Sequence, residues 1–397
     1  MQYKQMEARI GEAGMKPLAR ASREMPQSGI RRITNLAVAV PDCIRLEVGE
    51  PNFPTPPHIV EAAEKAARDG FTRYTASQGL LSLREAMSAK LERVNLLKVP
   101  PERIVVTNGA LSGLFTTCLA LLDPGDELLI PDPGWPNWEM MILAARGVPV
   151  RYSTPKEQAF LPYPEDMDRL VTARTKAILL NSPSNPTGAV MNEALVRQLV
   201  DFARRHDLWI ISDECYDEFL FEGEHISPAR FDEDGRVISL FSCSKTYAMT
   251  GWRVGYAAVP ESAIDIVAKM QQPVLGNICS VAQKAAEAAL DGPQECVGEM
   301  REHYRARRDQ AVAMLQNAGF PVRRPAGAFY IMVDVGTADT TAFALDLLRL
   351  HKVAVAPGET FGSGGRGLVR VALCVSEQAL QSGLGRLIEV VKDAGEG

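Results

Sequence analysis

Lys245 stands in the run Ser242-Cys243-Ser244-Lys245-Thr246-Tyr247-Ala248-Met249-Thr250-Gly251-Trp252-Arg253, a primary amine among small hydroxyl residues with a guanidinium eight positions on. Such an amine can capture a carbonyl group as an imine. Once freed it can serve as a base, provided its surroundings lower its pKa from the ordinary value of about 10.4. Taken alone, the Ser-Lys pair also suits a solvated turn. Upstream, Ile211-Ser212-Asp213-Glu214-Cys215-Tyr216 puts a carboxylate at the end of an apolar stretch, where it either addresses a ligand or caps a helix. On an extended backbone the neighbouring Glu214 points the opposite way. Asn108-Gly109-Ala110-Leu111-Ser112-Gly113 follows a β-rich run and opens a helical one, the setting in which backbone N–H groups bind phosphate. Helix packing explains that glycine spacing equally well. Arg370, in Gly367-Leu368-Val369-Arg370-Val371-Ala372, carries the planar fork that grips a carboxylate at two points, or else decorates a surface strand.

With Asn181-Ser182-Pro183-Ser184-Asn185-Pro186-Thr187-Gly188 lying between them, these segments resemble, in order and over nearly the whole chain, the pyridoxal-phosphate-dependent aminotransferases of class I/II. The resemblance is to the aspartate-aminotransferase type, fold type I. It implies pyridoxal 5'-phosphate as cofactor, tethered by Lys245, with Asp213 beneath the pyridine nitrogen to keep it protonated. It assigns Asn185 and Tyr216 to the phenolic oxygen. Gly109, Ala110, Leu111, Ser242, Ser244 and Arg253 surround the phosphate. Tyr74, in Arg73-Tyr74-Thr75-Ala76-Ser77-Gln78-Gly79, resembles the tyrosine that reaches the phosphate of the other subunit in a homodimer. Trp135, in Pro133-Gly134-Trp135-Pro136-Asn137-Trp138, falls at the position that stacks on the ring and lines the substrate site; Trp138 reads as core, and Cys215 as small packing against the opposite ring face. Arg370, the backbone of Gly49 in Val48-Gly49-Glu50-Pro51, and Asn185 are the implied contacts of the substrate.

The implied reaction moves an amino group between an L-amino acid and a 2-oxo acid, often 2-oxoglutarate, with Lys245, Asp213 and Tyr216 as catalytic residues. Acid-specific members of the most similar subgroup carry a lysine where this chain has Leu111. The departure tilts the donor toward neutral, aliphatic or aromatic amino acids rather than strictly aspartate, although Arg31 or Arg32 could supply a cation. Two readings compete: a C–S or other β-lyase of the same fold, and a non-catalytic cofactor-binding regulator. The second would need an added DNA-binding domain, for which the aminotransferase-like segment begins too early.

Elements to position these residues are legible between about residues 100 and 260. Near-continuous apolar runs at 104–107, 127–130, 176–180, 208–211 and 237–241 predict strands covered on both faces, separated by stretches long enough for crossover helices. The expected fold is α/β: a large domain with a mostly parallel sheet flanked by helices, plus a smaller α+β domain built from the two termini. Gly109, Asp132, Asn181, Asp213 and Ser242 all fall at or just after strand ends, where such sheets gather their ligands. A helix is expected over 55–70, with Thr55 as cap, prolines 56 and 57 at its start and Gly70 as its stop. Beyond about 290 the pattern predicts a charged helix at 299–316, strands at 328–333, near 353–356 and at 368–372, a helix at 341–350 and a final helix from Ser376. The expected division is 1–45 joining the small domain, 46–290 the cofactor-binding domain and 291–397 the small domain. Arginines 301, 305, 307 and 308 read as a solvated helix face. The run Gly362-Ser363-Gly364-Gly365-Arg366-Gly367 lacks phosphate-loop spacing and reads as a mobile turn.

At 397 residues the chain is long for a single core. Its net charge of −6 gives no reason to expect nucleic acid or an anionic membrane as partner. No apolar run approaches bilayer length, and residues 1–9 are polar with no signal-peptide core behind them. Seven scattered cysteines, odd in number and without a Cys-x-x-Cys pair, read as reduced thiols of a cytoplasmic protein. Five histidines show no metal-ligand spacing, so no metal is expected.

Overall fold

Strands form where the chain is apolar without alternation, because helices cover both faces of the main sheet. In chain order they are β1 (Ile44–Arg45), β2 (Ile104–Thr107), β3 (Glu127–Asp132), β4 (Val148–Ser153), β5 (Thr175–Asn181), β6 (Trp209–Asp213), β7 (Val237–Ser242), β8 (Gly255–Ala258), β9 (Tyr330–Asp334), β10 (Val353–Ala354), β11 (Ala356–Pro357) and β12 (Leu368–Ala372). The structure, a computed structural model, describes residue 16 and residues 18–395; the reading of residues 1–9 and the start of the 1–45 segment lie outside the described residues.

Seven strands make the large sheet, in the order β2-β8-β7-β6-β5-β3-β4. The pairs β3–β4, β3–β5, β5–β6 and β6–β7 are parallel, whereas β8 is antiparallel to both β7 and β2. Successive residues of one strand enter different cores: Leu179 and Ile211 pack on one face of the sheet, Ile178, Leu180 and Ile210 on the other. Sequence reading missed β4 and β8. The first is a partly exposed edge with proline and arginine in it. The second, Gly255-Tyr256-Ala257-Ala258, has one large apolar residue among small ones, and its glycine has a steric reason: a Cβ on Gly255 would lie 2.7 Å from the backbone nitrogen of Ala110.

Two local expectations change in detail. The helix Pro57–Arg68 does begin on proline, but Thr55 does not cap it. Its hydroxyl instead donates to Ala248 O at 2.7 Å and accepts from Trp252 Nε1 at 3.1 Å. The 362–367 turn is hydrogen-bonded in place rather than free. Ser363 Oγ and Gly364 N donate to the Asp132 carboxylate at 2.5 and 2.8 Å, and Gly134 N donates to Phe361 O at 2.8 Å.

After Asp291 the chain forms helix Glu295–Asn317, the antiparallel sheet β11-β12-β9, helix Thr340–His351 and the closing helix Glu377–Gly395. β1 pairs in parallel with β10, and Ile33, Ala37 and Leu46 share a core with Val333, Leu347, Val369 and Leu384. The arginine face of helix Glu295–Asn317 is not wholly solvated: Arg307 and Arg308 are 6% and 2% exposed. Arg308 Nη1 donates to Pro325 O and to Glu222, at 2.8 and 2.9 Å, and Arg307 Nη1 donates to Asn52 Oδ1 at 2.8 Å. A guanidinium that finds carbonyl and carboxylate partners can be buried, and helical periodicity cannot distinguish it from a solvated one.

Candidate active site

Asp132, Asn181, Asp213 and Ser242 are the last residues of β3, β5, β6 and β7. Since β2 runs in the same sense as β7, being antiparallel to β8, Gly109 lies at the same edge of the sheet. The register sets Asn181 beside Asp213, and Asn181 uses both ends of its amide there. Its Nδ2 donates to Asp213 O at 2.9 Å and its Oδ1 accepts from Asn185 N at 2.8 Å, fixing the turn that carries Asn185.

Asp213 is 5% exposed. Its Oδ2 accepts from the Trp138 indole at 3.1 Å, and its Oδ1 accepts from Cys215 N at 3.3 Å. Burial pushes its carboxyl above the usual range, and these N–H donors oppose the shift. Glu214 indeed faces away, its Oε1 accepting from Ser227 at 2.9 Å. Lys245 sits in the short helical turn Cys243–Thr246, which is capped by Ser242 Oγ accepting from Ser244 N at 3.1 Å. Its Nζ donates to Gly49 O at 2.6 Å. Desolvation pushes the Lys245 ammonium below the lysine range; Glu50 opposes this, and the Arg370 charge adds to it. Cys215, two positions after Asp213, is half-buried, and burial and the neighbouring Asp213 carboxylate raise its thiol pKa.

Arg370 is 2% exposed and points into the same region. Its Nη1 donates to Asn185 Oδ1 at 2.7 Å and its Nη2 to Glu47 O at 2.6 Å, while Nε has no partner among the described residues. The guanidinium carbon lies 4.2 Å from the ring centre of Tyr330 and 4.9 Å from that of Phe361. The hydroxyls of Tyr330 and Tyr216 are 2.7 Å apart, and burial raises the pKa of both phenols, that of Tyr330 to about 12. At Gly49 a Cβ would fall 1.8 Å from the Tyr330 hydroxyl, so only glycine fits.

At the other end of this region, Gly109 has φ +68° and opens the helix Gly109–Leu121. Arg253, itself at φ +58°, lies over that N-terminus: its Nη2 is 2.6 Å from where a Gly109 Cβ would be, and its Nη1 donates to Thr250 O at 2.7 Å. Helix N–H groups and a guanidinium thus converge, a combination suited to an anion. Ala110 is buried in the first turn, Leu111 is 38% exposed, and Ser244 is buried nearby in sequence to Lys245. A cleft of about 740 Å³ opens beside Asn108, Thr250 and Arg253. Trp135 is half-buried and meets Trp138 edge-on, ring centres 6.1 Å apart. Tyr74 is the exception, standing in solvent at 94% exposure.

Three site residues escaped sequence reasoning. Trp138 was read as core; it is buried, yet it also spends its indole N–H on Asp213, and its spacing three residues after Trp135 was the available signal. Tyr330 meets Tyr216 across 114 positions, and Glu47 offers Arg370 a carbonyl across 323, separations that leave no mark on local pattern. Among the described residues no group of His, Cys, Asp and Glu could hold a metal ion, and no helix is long and apolar enough to cross a membrane.

Residues 41–387 match the model of the family aminotransferase class I and II. The chain is 39% identical to the aspartate/prephenate aminotransferase of Thermus thermophilus, over 88% of this chain and 91% of that protein. It is 38% identical to the probable aspartate/prephenate aminotransferase of Thermus aquaticus, over 88% and 92%. Among solved structures, the aspartate aminotransferase from Thermus thermophilus with maleate superposes with a TM-score of 0.91 at 38% identity, covering 95% of this chain and all of that one, 100%. The aromatic aminotransferase from Pyrococcus horikoshii gives a TM-score of 0.86 at 36% identity, covering 91% and 99%. With that fold and these strand-end residues, the chain belongs to the pyridoxal-phosphate-dependent aminotransferases of class I and II.

Proposed function

We propose that the cleft at the carboxyl edge of the large sheet holds pyridoxal 5'-phosphate and transfers an amino group between an L-amino acid and a 2-oxo acid such as 2-oxoglutarate. One observation carries the assignment of the site, an unbroken set of contacts: Lys245 Nζ donates to Gly49 O, Gly49 abuts the Tyr330 hydroxyl, Arg370 lies on the Tyr330 ring and donates to Asn185, and Asn181 ties the Asn185 turn to Asp213. The chain's own chemistry fits the cofactor at each end. Asp213 accepts from the Trp138 indole and from Cys215, and among the described residues no ion pair to it is formed, a need that a protonated ring nitrogen meets. Arg253, Ser242, Ser244 and the backbone at Gly109, Ala110 and Leu111 suit a phosphate. When bound, the cofactor supplies a ring that draws negative charge away from the substrate's Cα.

Lys245 Nζ is the base that takes the Cα proton, a role that the desolvation lowering its pKa favours. Arg370, braced by Asn185, Glu47 and the rings of Tyr330 and Phe361, receives the α-carboxylate together with Gly49. Tyr216, tied to Tyr330, and Asn185 donate or accept at the ring oxygen, and Trp135 covers the ring. In this reading residues 46–290 form the cofactor-binding domain, and 1–45 with 291–397 the smaller one. The protein works as a homodimer in which Tyr74 enters the partner's phosphate site, a role supported by its exposure. All seven cysteines are free, which supports a cytoplasmic setting.

Leu111 offers exposed apolar surface on the first helical turn, which favours a neutral, aliphatic or aromatic donor. The names of the Thermus relatives favour aspartate, and Arg31 and Arg32, both exposed, are the cations available for it. A panel of amino acids assayed with 2-oxoglutarate separates these readings. Glutamate formation from aromatic or aliphatic donors supports the first, and turnover of aspartate alone supports the second. Release of pyruvate and ammonia without any oxo acid would make the protein a lyase and overturn both.

A further inference from the structure

Between helices Pro57–Arg68 and Leu81–Asn95 the chain crosses residues 71–80 without regular structure. The outer side of this loop is solvent, with Phe71, Arg73 and Tyr74 exposed. Its inner side is held by side chains 194 to 209 positions further along. Gln271, near the end of helix Ile264–Leu275, donates through Nε2 to Ser77 O and to Val106 O of β2, both at 2.9 Å, tying the loop to the sheet edge. Asn277 Nδ2 donates to Thr75 O at 2.6 Å. From helix Ser280–Asp291, Ser280 Oγ donates to Phe71 O at 2.5 Å and Gln283 Nε2 donates to Thr75 Oγ1 at 3.0 Å, while Gln283 Oε1 accepts from Leu80 N at 2.8 Å. Gly79, at φ +94°, has no room for a side chain, since a Cβ would lie 2.3 Å from Val106 Cγ2.

Gln271 and Gln283 are both fully buried. Burying a primary amide is unfavourable unless its hydrogen bonds are made; three of the five that these two make go to one irregular loop, the others to Val106 O and Ile278 O, while Gln271 Oε1 has no partner among the described residues. The bonds bracket Tyr74 on both sides, at Phe71 and at Thr75. Yet Tyr74 itself is 94% exposed, so its own chain gains nothing from holding it still. Rigidity at an exposed aromatic is useful to whatever that aromatic enters, because the ordering is complete before contact.

We propose that Gln271, Asn277, Ser280 and Gln283 are positioning residues that act across the subunit boundary. They hold the 71–80 loop so that Tyr74 completes the partner's phosphate site, and they govern the competence of the partner's Lys245 rather than their own. The inference rests on the homodimer reading above.

Hybrid dimers purified through two different tags test it. A Lys245→Ala subunit paired with a Tyr74→Ala subunit has one site with both residues intact, and about half of wild-type activity is expected from two-fold symmetry. The Gln283→Leu homodimer is expected to lose at least about tenfold, the loop losing its bonds at Thr75 and Leu80 being the cause. Paired with Lys245→Ala, however, Gln283→Leu is expected to recover to about half of wild type, because the remaining lysine then faces an intact loop. A subunit carrying both Lys245→Ala and Gln283→Leu, paired with wild type, is expected to keep only about half of the Gln283→Leu homodimer's activity, having one impaired site instead of two. Should Gln283→Leu fail to fold, the half-buried Asn277→Ala takes its place in the same pairs. An inactive Lys245→Ala/Tyr74→Ala hybrid would overturn the homodimer reading and the proposal with it. If that hybrid is active but Lys245→Ala/Gln283→Leu is no better than the Gln283→Leu homodimer, the proposal alone is overturned. Wild-type activity in both the Gln283→Leu and Asn277→Ala homodimers overturns it too.

Discussion

Asp213 is costly to the protein when the cleft lacks a cation, and this has a measurable sign. Its folded pKa lies above the unfolded value, so its contribution favours folding at low pH and is lost as pH rises from the unfolded value of about 3.9 through the folded one. Cofactor-free Asp213→Asn is therefore expected to melt above cofactor-free wild type at pH 7, with the gap closing as pH falls toward about 4, in a thermal scan across pH. The same substitution should lower kcat by about a hundredfold or more, because Asn cannot hold a positive ring nitrogen. Trp138→Phe keeps the packing and removes one donor to that carboxylate. Its expected cost is about tenfold in kcat, the worth of one hydrogen bond to a charged group, about 1.5 kcal/mol, read from steady-state rates. Lys245, Asp213 and Arg370 could be singled out in the sequence because an amine, a strand-end carboxylate and a guanidinium each answer a specific chemical need and sit in motifs that resemble the family's; their roles are part of the proposal. Trp138 and Tyr330 were not, because an indole or a phenol serves a core equally well and only the folded distances reveal the polar end.

At the scale of elements, the strands of the main sheet that are covered on both faces were readable from apolar continuity. β4 was lost to its half-exposed edge and β8 to its shortness and to Gly255, whose missing side chain answers to the helix start packed on it. The 362–367 turn was misread for a related reason: glycine suggests freedom, but here it lets the loop approach Asp132. That carboxylate holds Ser363 and Gly364, and the adjoining Phe361 stacks on Arg370. Asp132→Ala should therefore loosen the loop that backs Arg370. The expected outcome is a rise of about tenfold in KM for both amino acid and oxo acid, the cost of about 1.4 kcal/mol of lost positioning, with a smaller change in kcat. An unchanged KM would separate the loop from substrate binding.

For the whole molecule, both sides of the site's chemistry come from distant parts of one chain, and the account adds Tyr74 from a second. If the site is shared, specific activity should fall on dilution in step with loss of dimer measured by sedimentation, and it should return on concentration. Constant activity through dissociation would mean that each chain suffices alone. The most direct measurement is borohydride reduction of the holoenzyme followed by peptide mapping. The account predicts the pyridoxyl mass on Lys245 alone, and none after prior incubation with an amino acid that the enzyme accepts. A label on any other lysine, or full turnover by Lys245→Ala, would contradict it.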